Sequence, residues 1–534
     1  MAAGGEETDR GAPPRTAAAP RAAVRPGWIH ALWVAVFFGL AGALQTAMPY
    51  FQDGDTAYHL AVARLIERHG VLDAFPWTPF SWLADHYADK ELLFHLLLVP
   101  VADWEPGLAA AVAGTVLGGL LLAVVYAVLV RERIPAAGAW TLLVPAISSA
   151  FVHRAALVRA HLLAIPLALV VTWSAARGRS WWLAAACFVF PLSYTAWHLP
   201  VVLVGVVEAV RLVTERRIEW RVPLAAGAGL AAGILAHPNF PANLELFWIQ
   251  NYTVLFETVW GGKDGFAMGG EFRPFSPVSV VRYVVPAALA AGAALAFAWR
   301  RRRADAVPLA LAVTAVAFLL VTLRTQRFIE YLAPFAVVAL ALAWRPPRPR
   351  RVVPGLVVAG AVWIALFARH PIGLLLDRMQ TFPPEVAAAL REIVPPGEQV
   401  VTCEWEITGE MMLALPERRF VVALDPVFFA MQDAERYRLW YDTVHAPPAD
   451  AARRLRDGLD GRYVICDRRM KWLPLVRSLD RDPEAAWRGV HGYWVVFELL
   501  DEPAHASGSS EPGEAADASP VAPGAGRAGP RARS

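Results

Sequence analysis

The sequence predicts an α-helical polytopic membrane protein of about 11 transmembrane helices carrying a C-terminal soluble α/β domain. Three observations carry this. Of the 534 residues, 56% are hydrophobic. Mean hydropathy is +0.39. The apolar residues are also not dispersed at helix or strand period, as in a soluble chain, but fall in blocks long enough to cross a hydrocarbon core of roughly 30 Å. The formal charge of +3 gives no footprint for nucleic acid.

The blocks lie near 28–49, 107–130, 136–152, 156–176, 180–197, 198–214, 222–237, 279–299, 305–323, 327–344 and 352–369. The stretch Leu92–Val101 is too short to cross and reads as a buried or re-entrant segment. Lysine occurs only at Lys90, Lys263 and Lys471, so arginine sets the topology. Arginines cluster in the N-terminal arm, at 131–133, 177–179, 211–221 and 300–303, and at 345–351. Each cluster falls at every second loop, as expected of cytoplasmic loops. The intervening loops, among them 50–106 and 238–278, then face the other side, with everything after about residue 370. This places the protein in a bacterial inner membrane, N-terminus cytoplasmic and C-terminal domain periplasmic.

Residues 1–27 are rich in Pro, Ala and Gly and read as a disordered cytoplasmic arm; 501–534 read as a disordered tail. Residues 28–370 form the membrane domain. Residues 378–500 alternate helical and strand patterns: "PPEVAAALREIV" helical, "EQVVTCEW" extended, "ITGEMMLALP" helical, "RRFVVALD" extended. Two helical stretches, "RYVICD" as a strand and a closing hairpin in "WRGVHGYWVVFELL" complete it. Alternation of this kind implies a mainly parallel sheet. Cys187 sits in an apolar span as a packing residue, whereas Cys403 and Cys466 occupy similar strand contexts and can pair if that domain is periplasmic.

The stretch of greatest chemical interest is "YFQDGDTAYHLAVARLIERHG", Tyr50 to Gly70. Tyr58, Ala61, Val62, Leu65 and Ile66 form one apolar face of an amphipathic helix ended by Gly70. Asp55 or Thr56 stands at the N-cap, which accounts for one carboxylate but leaves Asp53 and Asp55 together unexplained. His59 follows Asp55 by four residues on the same face, where the two can share a cation or a proton. Asp85 and Glu91 read either as a solvated rim or as a second acidic group folding back to Asp55. His153, Arg154 and Arg159 bracket one outer turn, and Arg324 and Arg327 another, with Glu330 in the next span. Guanidinium forks there suit a lipid phosphate, the alternative being snorkelling or pairing with Glu330. The long aromatic loop 238–278, with Asn243, Glu245, Gln250, Asn251, Glu257, Asp264 and Glu271, reads as an interfacial helix followed by a Gly-rich, substrate-covering segment, or as a structural aromatic belt.

The first outer loop, "DGDTAYHLAVARLIERHG" after the first span, resembles the GT-C superfamily of membrane glycosyltransferases, the group of the oligosaccharyltransferase catalytic subunit, the protein O-mannosyltransferases and the aminoarabinose transferases. The resemblance implies transfer of a sugar from a polyprenyl-phosphate or polyprenyl-pyrophosphate donor to a periplasmic glycan, lipid or protein. It implies Asp55 as base or acceptor-positioning group, or Asp53 if Asp55 is the cap, with His59, Asp85 and Glu91 supporting. Arg324, Arg327, Arg154, Arg159 and His153 would bind the lipid phosphate. A divalent metal (Mg or Mn) held by Asp55 and His59 also fits that pattern. The chain departs from the group's best-known members in lacking a Trp-Trp-Asp motif in the C-terminal domain and a clear second Asp-x-Asp in a later outer loop, so a protein-sequon acceptor is not indicated. The rival readings are a lipid or glycan transporter or flippase, and a non-catalytic envelope-assembly protein with a degenerate transferase fold.

Overall fold

The computed structural model describes residues 27–48, 50, 53–260, 270–302, 305–344, 346–376, 382–423, 426–468 and 471–502. Side chains of 255–260 are outside that set. The arm before Gly27 and the tail after Glu502, both expected to be disordered, also lie outside the described residues. The chain divides into two units, 27–71 with 89–376, and 72–88 with 382–502.

In the first unit a helix stands at each expected apolar block. α1 is Gly27–Ala47, α2 Gly54–His69, α3 Leu92–Leu98 and α4 Pro106–Arg131. α5 (Ala137–Ala146), α6 (Ser149–Ala156), α7 (His161–Ala176), α8 (Ser180–Ser193), α9 (Leu199–Glu215) and α10 (Arg221–Leu235) follow. Ala242–Trp248 (α11) begins the long loop, and α12 (Pro277–Arg301), α13 (Val307–Arg324), α14 (Gln326–Ala343) and α15 (Pro349–Ala368) complete the unit. Among the described residues, six of these helices are long and apolar enough to cross a bilayer singly, and α6 with α7 passes the same test as a bent pair. The chain is a multi-pass membrane protein.

The block at 136–152 differs from a single span: α5 ends at Ala146 and α6 begins after Ser148. Ser148 caps α6 by accepting from the Phe151 amide at 3.2 Å, and its own hydroxyl donates to the Tyr283 carbonyl at 2.8 Å. A serine in extended conformation that both caps and donates stops one helix and starts another.

Burial separates centre from periphery. α14 is buried from Ile329 to its end at Ala343. α1 and α15, in contrast, expose rows of large apolar side chains, among them Leu32, Leu40, Val358, Val362 and Leu366, which a hydrocarbon solvent would cover. Close approach is bought by glycine. Gly229 and Gly233, one turn apart on α10, lie against the Ala184 and Phe188 carbonyls of α8, leaving no room for a Cβ. Gly114 of α4 makes room for Gln45 of α1. This is how membrane helices associate where apolar burial drives little.

The two ends of the unit are chemically distinct. Arg177 joins Glu132 (2.9 Å) and Asp305 (3.2 Å), so three of the expected cytoplasmic loops meet at one end. The second unit holds a five-stranded sheet in the order β2–β1–β3–β5–β4, with β1 Gln399–Thr402, β2 Arg419–Phe420, β3 Tyr463–Asp467, β4 Ala485–His491 and β5 Trp494–Leu499. The first three strands are parallel and the hairpin adds antiparallel pairs at β3–β5 and β5–β4, so the sheet is mixed rather than mainly parallel. The hairpin turns at Gly492, whose φ of +62° favours glycine. Residues 72–88 of the first outer loop pack with this unit rather than with the helices: the Phe420 amide donates to the Trp77 carbonyl at 2.6 Å, and Trp77 Nε1 donates to the Pro416 carbonyl at 2.8 Å. Cys403 and Cys466, adjacent across β1 and β3 with Cα atoms 5.3 Å apart, form a disulfide.

Two predictions follow from packing and linkage. Gly229→Ala should destabilise the α8–α10 pair by about 1–3 kcal/mol through overpacking, read as a lower unfolding temperature in detergent, while Gly227→Ala, with open space at its Cβ, should be neutral. Closing a loop of 63 residues, the disulfide should contribute about 2–4 kcal/mol to the second unit, so the Cys403→Ser, Cys466→Ser double variant should unfold at lower denaturant, and reductant should shift the wild type alone.

Candidate active site

Asp53, with an extended backbone, is the N-cap of α2: its Oδ1 accepts from the Thr56 amide at 2.9 Å and from the Thr56 hydroxyl. The cap is thus Asp53, not Asp55 or Thr56. An Asp directly before the first turn, three residues ahead of Thr56, reaches that residue's amide. Asp55 is left in the first turn with its side chain 51% exposed and no capping duty.

Both carboxylates meet Arg159. Its Nε donates to Asp53 Oδ2, and its Nη1 lies 2.7 Å from Asp55 Oδ2 and 3.2 Å from Glu271 Oε2. Arg159 is there because the chain breaks. α6 and α7 are bent by 118° about residues 157–160, and the carbonyls freed by the break find side-chain donors. His161 Nε2 donates to the Arg154 carbonyl at 2.9 Å, and Gln45 Nε2 to the Ala156 carbonyl at 3.0 Å. Thr56 of α2 lies 3.5 Å from the Val158 carbonyl. Non-helical backbone at membrane depth survives only when so satisfied.

The same break presents Arg154, whose Nε donates to Glu330 Oε2 at 3.0 Å and whose Nη1 donates to Glu271 Oε2. Arg327 completes the group, with Nη1 donating to Glu271 Oε1 at 3.0 Å and Nη2 to the Tyr194 hydroxyl at 3.0 Å. Glu271 therefore sits among three guanidiniums. Its turn is held to the start of α14 by the Gln326 amide on the Arg273 carbonyl at 3.0 Å and by the Gln326 side chain on the Gly270 carbonyl.

The electrostatics follow. Burial alone would raise the Asp53 carboxyl, but Arg159 and the Thr56 hydrogen bonds outweigh it and hold the group below its ordinary value. Burial of its surroundings pushes Asp55 up to about 6, Arg159 opposing and the charges of Asp53 and Glu271 adding. The half-open side chain lets solvent work against that rise. Burial would also raise Glu271, yet Arg154, Arg327 and Arg159 drive it well below the carboxylate range.

A second cluster lies on the same loop. His59 Nδ1 and His95 Nε2 are 2.8 Å apart, Glu91 Oε2 is 3.8 Å from His59 Nδ1, and His95 Nδ1 faces the Asp89 carboxylate at 2.7 Å. Burial, helped by His95, keeps His59 well below its ordinary value and neutral.

The sequence-derived set is thus partly assembled. Asp53, Asp55, Arg154, Arg159 and Arg327 come together. Asp55 and His59, expected to share a cation, are engaged separately, Asp55 by Arg159 and His59 by His95 and Glu91. The carboxylates that Mg or Mn would use already face a guanidinium. Glu91 joins His59, and Asp85 is exposed in the second unit. Arg324 ends α13 with an exposed side chain, and it is Arg327, three residues on, that enters the cluster; His153 is half-buried on α6. Tyr194 was not singled out from sequence. For Glu271 the signal was present in its Gly-rich covering loop.

Neither a known family model nor a curated protein matches the chain. Solved structures do. The archaeal oligosaccharyltransferase AglB from Archaeoglobus fulgidus, in complex with an inhibitory peptide and a dolichol-phosphate, superposes with TM-score 0.56 at 15% identity, over 89% of this chain and 75% of that one. ArnT from Cupriavidus metallidurans, bound to undecaprenyl phosphate, gives 0.57 at 12% identity over 89% and 98%. The arabinofuranosyltransferase AftD from Mycobacteria gives 0.52 at 14% identity over 89% and 42%. Identities this low establish architecture alone, and the chain has the fold of the GT-C membrane glycosyltransferases.

Proposed function

We propose that the protein is a membrane glycosyltransferase that moves a sugar from a polyprenyl-phosphate or polyprenyl-pyrophosphate donor to a periplasmic acceptor. In this reading residues 28–370 form the catalytic membrane domain of a bacterial inner-membrane protein, with the N-terminus cytoplasmic. The 378–500 domain is periplasmic; its disulfide suits an oxidising compartment. The observation that carries the proposal is the cage of Arg154, Arg159 and Arg327 around one carboxylate, Glu271, beside the half-open Asp55. Three converging guanidiniums suit a phosphate better than a lone carboxylate, and Glu271 holds the place that a donor phosphate would take.

Asp55 removes the proton from the acceptor hydroxyl or amide as that atom bonds to the anomeric carbon. The bond from that carbon to the phosphate oxygen breaks, and its electron pair leaves with the lipid phosphate. The arginines stabilise the charge developing there. The bound dolichol-phosphate of AglB and undecaprenyl phosphate of ArnT support a polyprenyl phosphate as the ligand class.

The break between α6 and α7 favours a second reading, a lipid-linked glycan transporter, since such proteins use interrupted helices at their binding sites. Reconstitution with a polyprenyl-phosphate sugar separates the two: a transferase yields free polyprenyl phosphate and a new glycoside, a transporter only relocates the donor. If Asp53→Asn and Asp55→Asn both retain transfer, the catalytic reading fails and the assembly-protein reading gains.

Three outcomes are expected. Asp55→Asn should lower transfer about 10²–10⁴-fold while keeping donor lipid in native mass spectra. The wild-type rate should climb with pH through an ionisation near 6 and level off above it, because the base acts only when deprotonated. Glu271→Gln should tighten undecaprenyl phosphate binding about tenfold, or about 1.4 kcal/mol, and Arg327→Gln should weaken it; equal affinity in all three proteins would remove the cage from the mechanism.

A further inference from the structure

The His59–His95–Glu91 cluster is not used by the transfer chemistry, yet it is built like a ligand set. His59 comes from α2, and Glu91 and His95 from the start of α3. One donor atom from each lies within 4.8 Å of the others, and all three residues are buried. Read as hydrogen bonding alone, the arrangement leaves a remainder. His95 Nδ1 donates to Asp89, so His95 Nε2 presents a lone pair to His59, whose Nδ1–H satisfies it at 2.8 Å. Glu91 Oε2 is then buried with no hydrogen-bond donor, 3.8 Å from a ring nitrogen already committed. A carboxylate oxygen so placed is costly. A cation at the centre of the three would satisfy every donor atom at once.

We propose that His59 Nδ1, His95 Nε2 and the Glu91 carboxylate bind a divalent transition-metal ion of the zinc class. Tetrahedral coordination at the usual bond lengths spaces ligand atoms by about 3.3 Å. The observed 2.8 Å and 3.8 Å bracket that spacing, and the remaining edge lies within 4.8 Å. Two imidazoles and one carboxylate select zinc over magnesium or calcium. The surroundings are those of a ligand held in advance. Asp89 orients the His95 tautomer from the far side of the ring, as metal-binding histidines require. Asp89 is itself fixed by three bonds: its carboxylate accepts from the Glu91 amide at 3.0 Å, its amide donates to Asn239 Oδ1 at 3.1 Å, and its carbonyl accepts from His237 Nε2 at 2.9 Å. The ion would pin α2 to α3, and α2 carries Asp53 at its cap and Asp55 in its first turn. Its task is to hold those carboxylates in register with Arg159. It is a positioning ion, and its binding depends on neither the donor nor the reaction proposed above.

The test uses the full-length protein purified in detergent, stripped with chelator and titrated with Zn²⁺ or Co²⁺ alone. Wild type is expected to take up one ion per chain, to give the intense visible absorption of tetrahedral Co²⁺, and to unfold at a higher temperature with Zn²⁺. His59→Gln and His95→Gln should lose uptake and the Co²⁺ spectrum, and Asp89→Asn should weaken binding about 10–100-fold. Asp55→Asn should bind as wild type does. Matching unfolding temperatures of stripped wild type and stripped variants separate a lost ligand from a lost fold; should a variant not fold, the wild-type titration still decides. No saturable uptake by wild type overturns the proposal. So does uptake that survives both histidine variants or disappears with Asp55→Asn, since the ion then sits elsewhere.

Discussion

The Arg159 guanidinium is the constraint on which the site depends. It ties the cap of α2 (Asp53), the free carboxylate of its first turn (Asp55) and the Glu271 turn to the break between α6 and α7. Elements separated by more than 100 residues thereby share one planar cation. Charges buried in this way cost desolvation, and well-packed apolar residues would serve stability as well or better. The arrangement makes sense as an electrostatic device. A fixed guanidinium holds Asp53 ionised and positions Asp55, and it also faces the place where an anion would arrive.

The balance of charge there is close. Arg154, Arg159 and Arg327 stand against Asp53, Asp55, Glu271 and Glu330, three cations to four carboxylates. Glu330 is 1% exposed on the central helix and cannot leave, and Asp53 is consumed as a cap. Glu271 differs from both. It sits on a short turn held by Gln326 and is one-fifth exposed. Of the acidic partners it is the one whose exchange for a phosphate disturbs no helix. In the proposed function, such exchange would open the three arginines to a phosphate.

How much of this was legible in the sequence depends on the range of the interaction. The membrane helices, the amphipathic α2 ended by Gly70 and the C-terminal hairpin follow from hydropathy, period and turn chemistry, which are local. The Asp53-Gly54-Asp55 stretch was visible for the same reason. The cap was misplaced by two residues because Asp53 and Asp55 both precede good first-turn residues, and only the extended backbone at Asp53 decides between them. Arg324 and Arg327 could not be told apart either. The chain leaves helical geometry at Thr325, so residues three apart cease to share a face. The metal pair Asp55 and His59 was a sound inference from a four-residue spacing on one helix. It failed against partners that no local pattern announces, Arg159 for one and His95 for the other.

That failure says something about how the first outer loop works. A single short helix engages Arg159 through Asp55 and His95 through His59 one turn further on, so its orientation is fixed at two points. A side-chain rearrangement that turned His59 and Asp55 to a shared cation would break both contacts. The middle of the same loop, residues 72–88, is meanwhile committed to the second unit through Trp77 and its neighbours. α2 itself is held by its own contacts with Arg159 and His95. An enzyme that must hold a general base within hydrogen-bond reach of an acceptor needs that rigidity more than it needs stability, because small displacements of a catalytic group cost rate steeply.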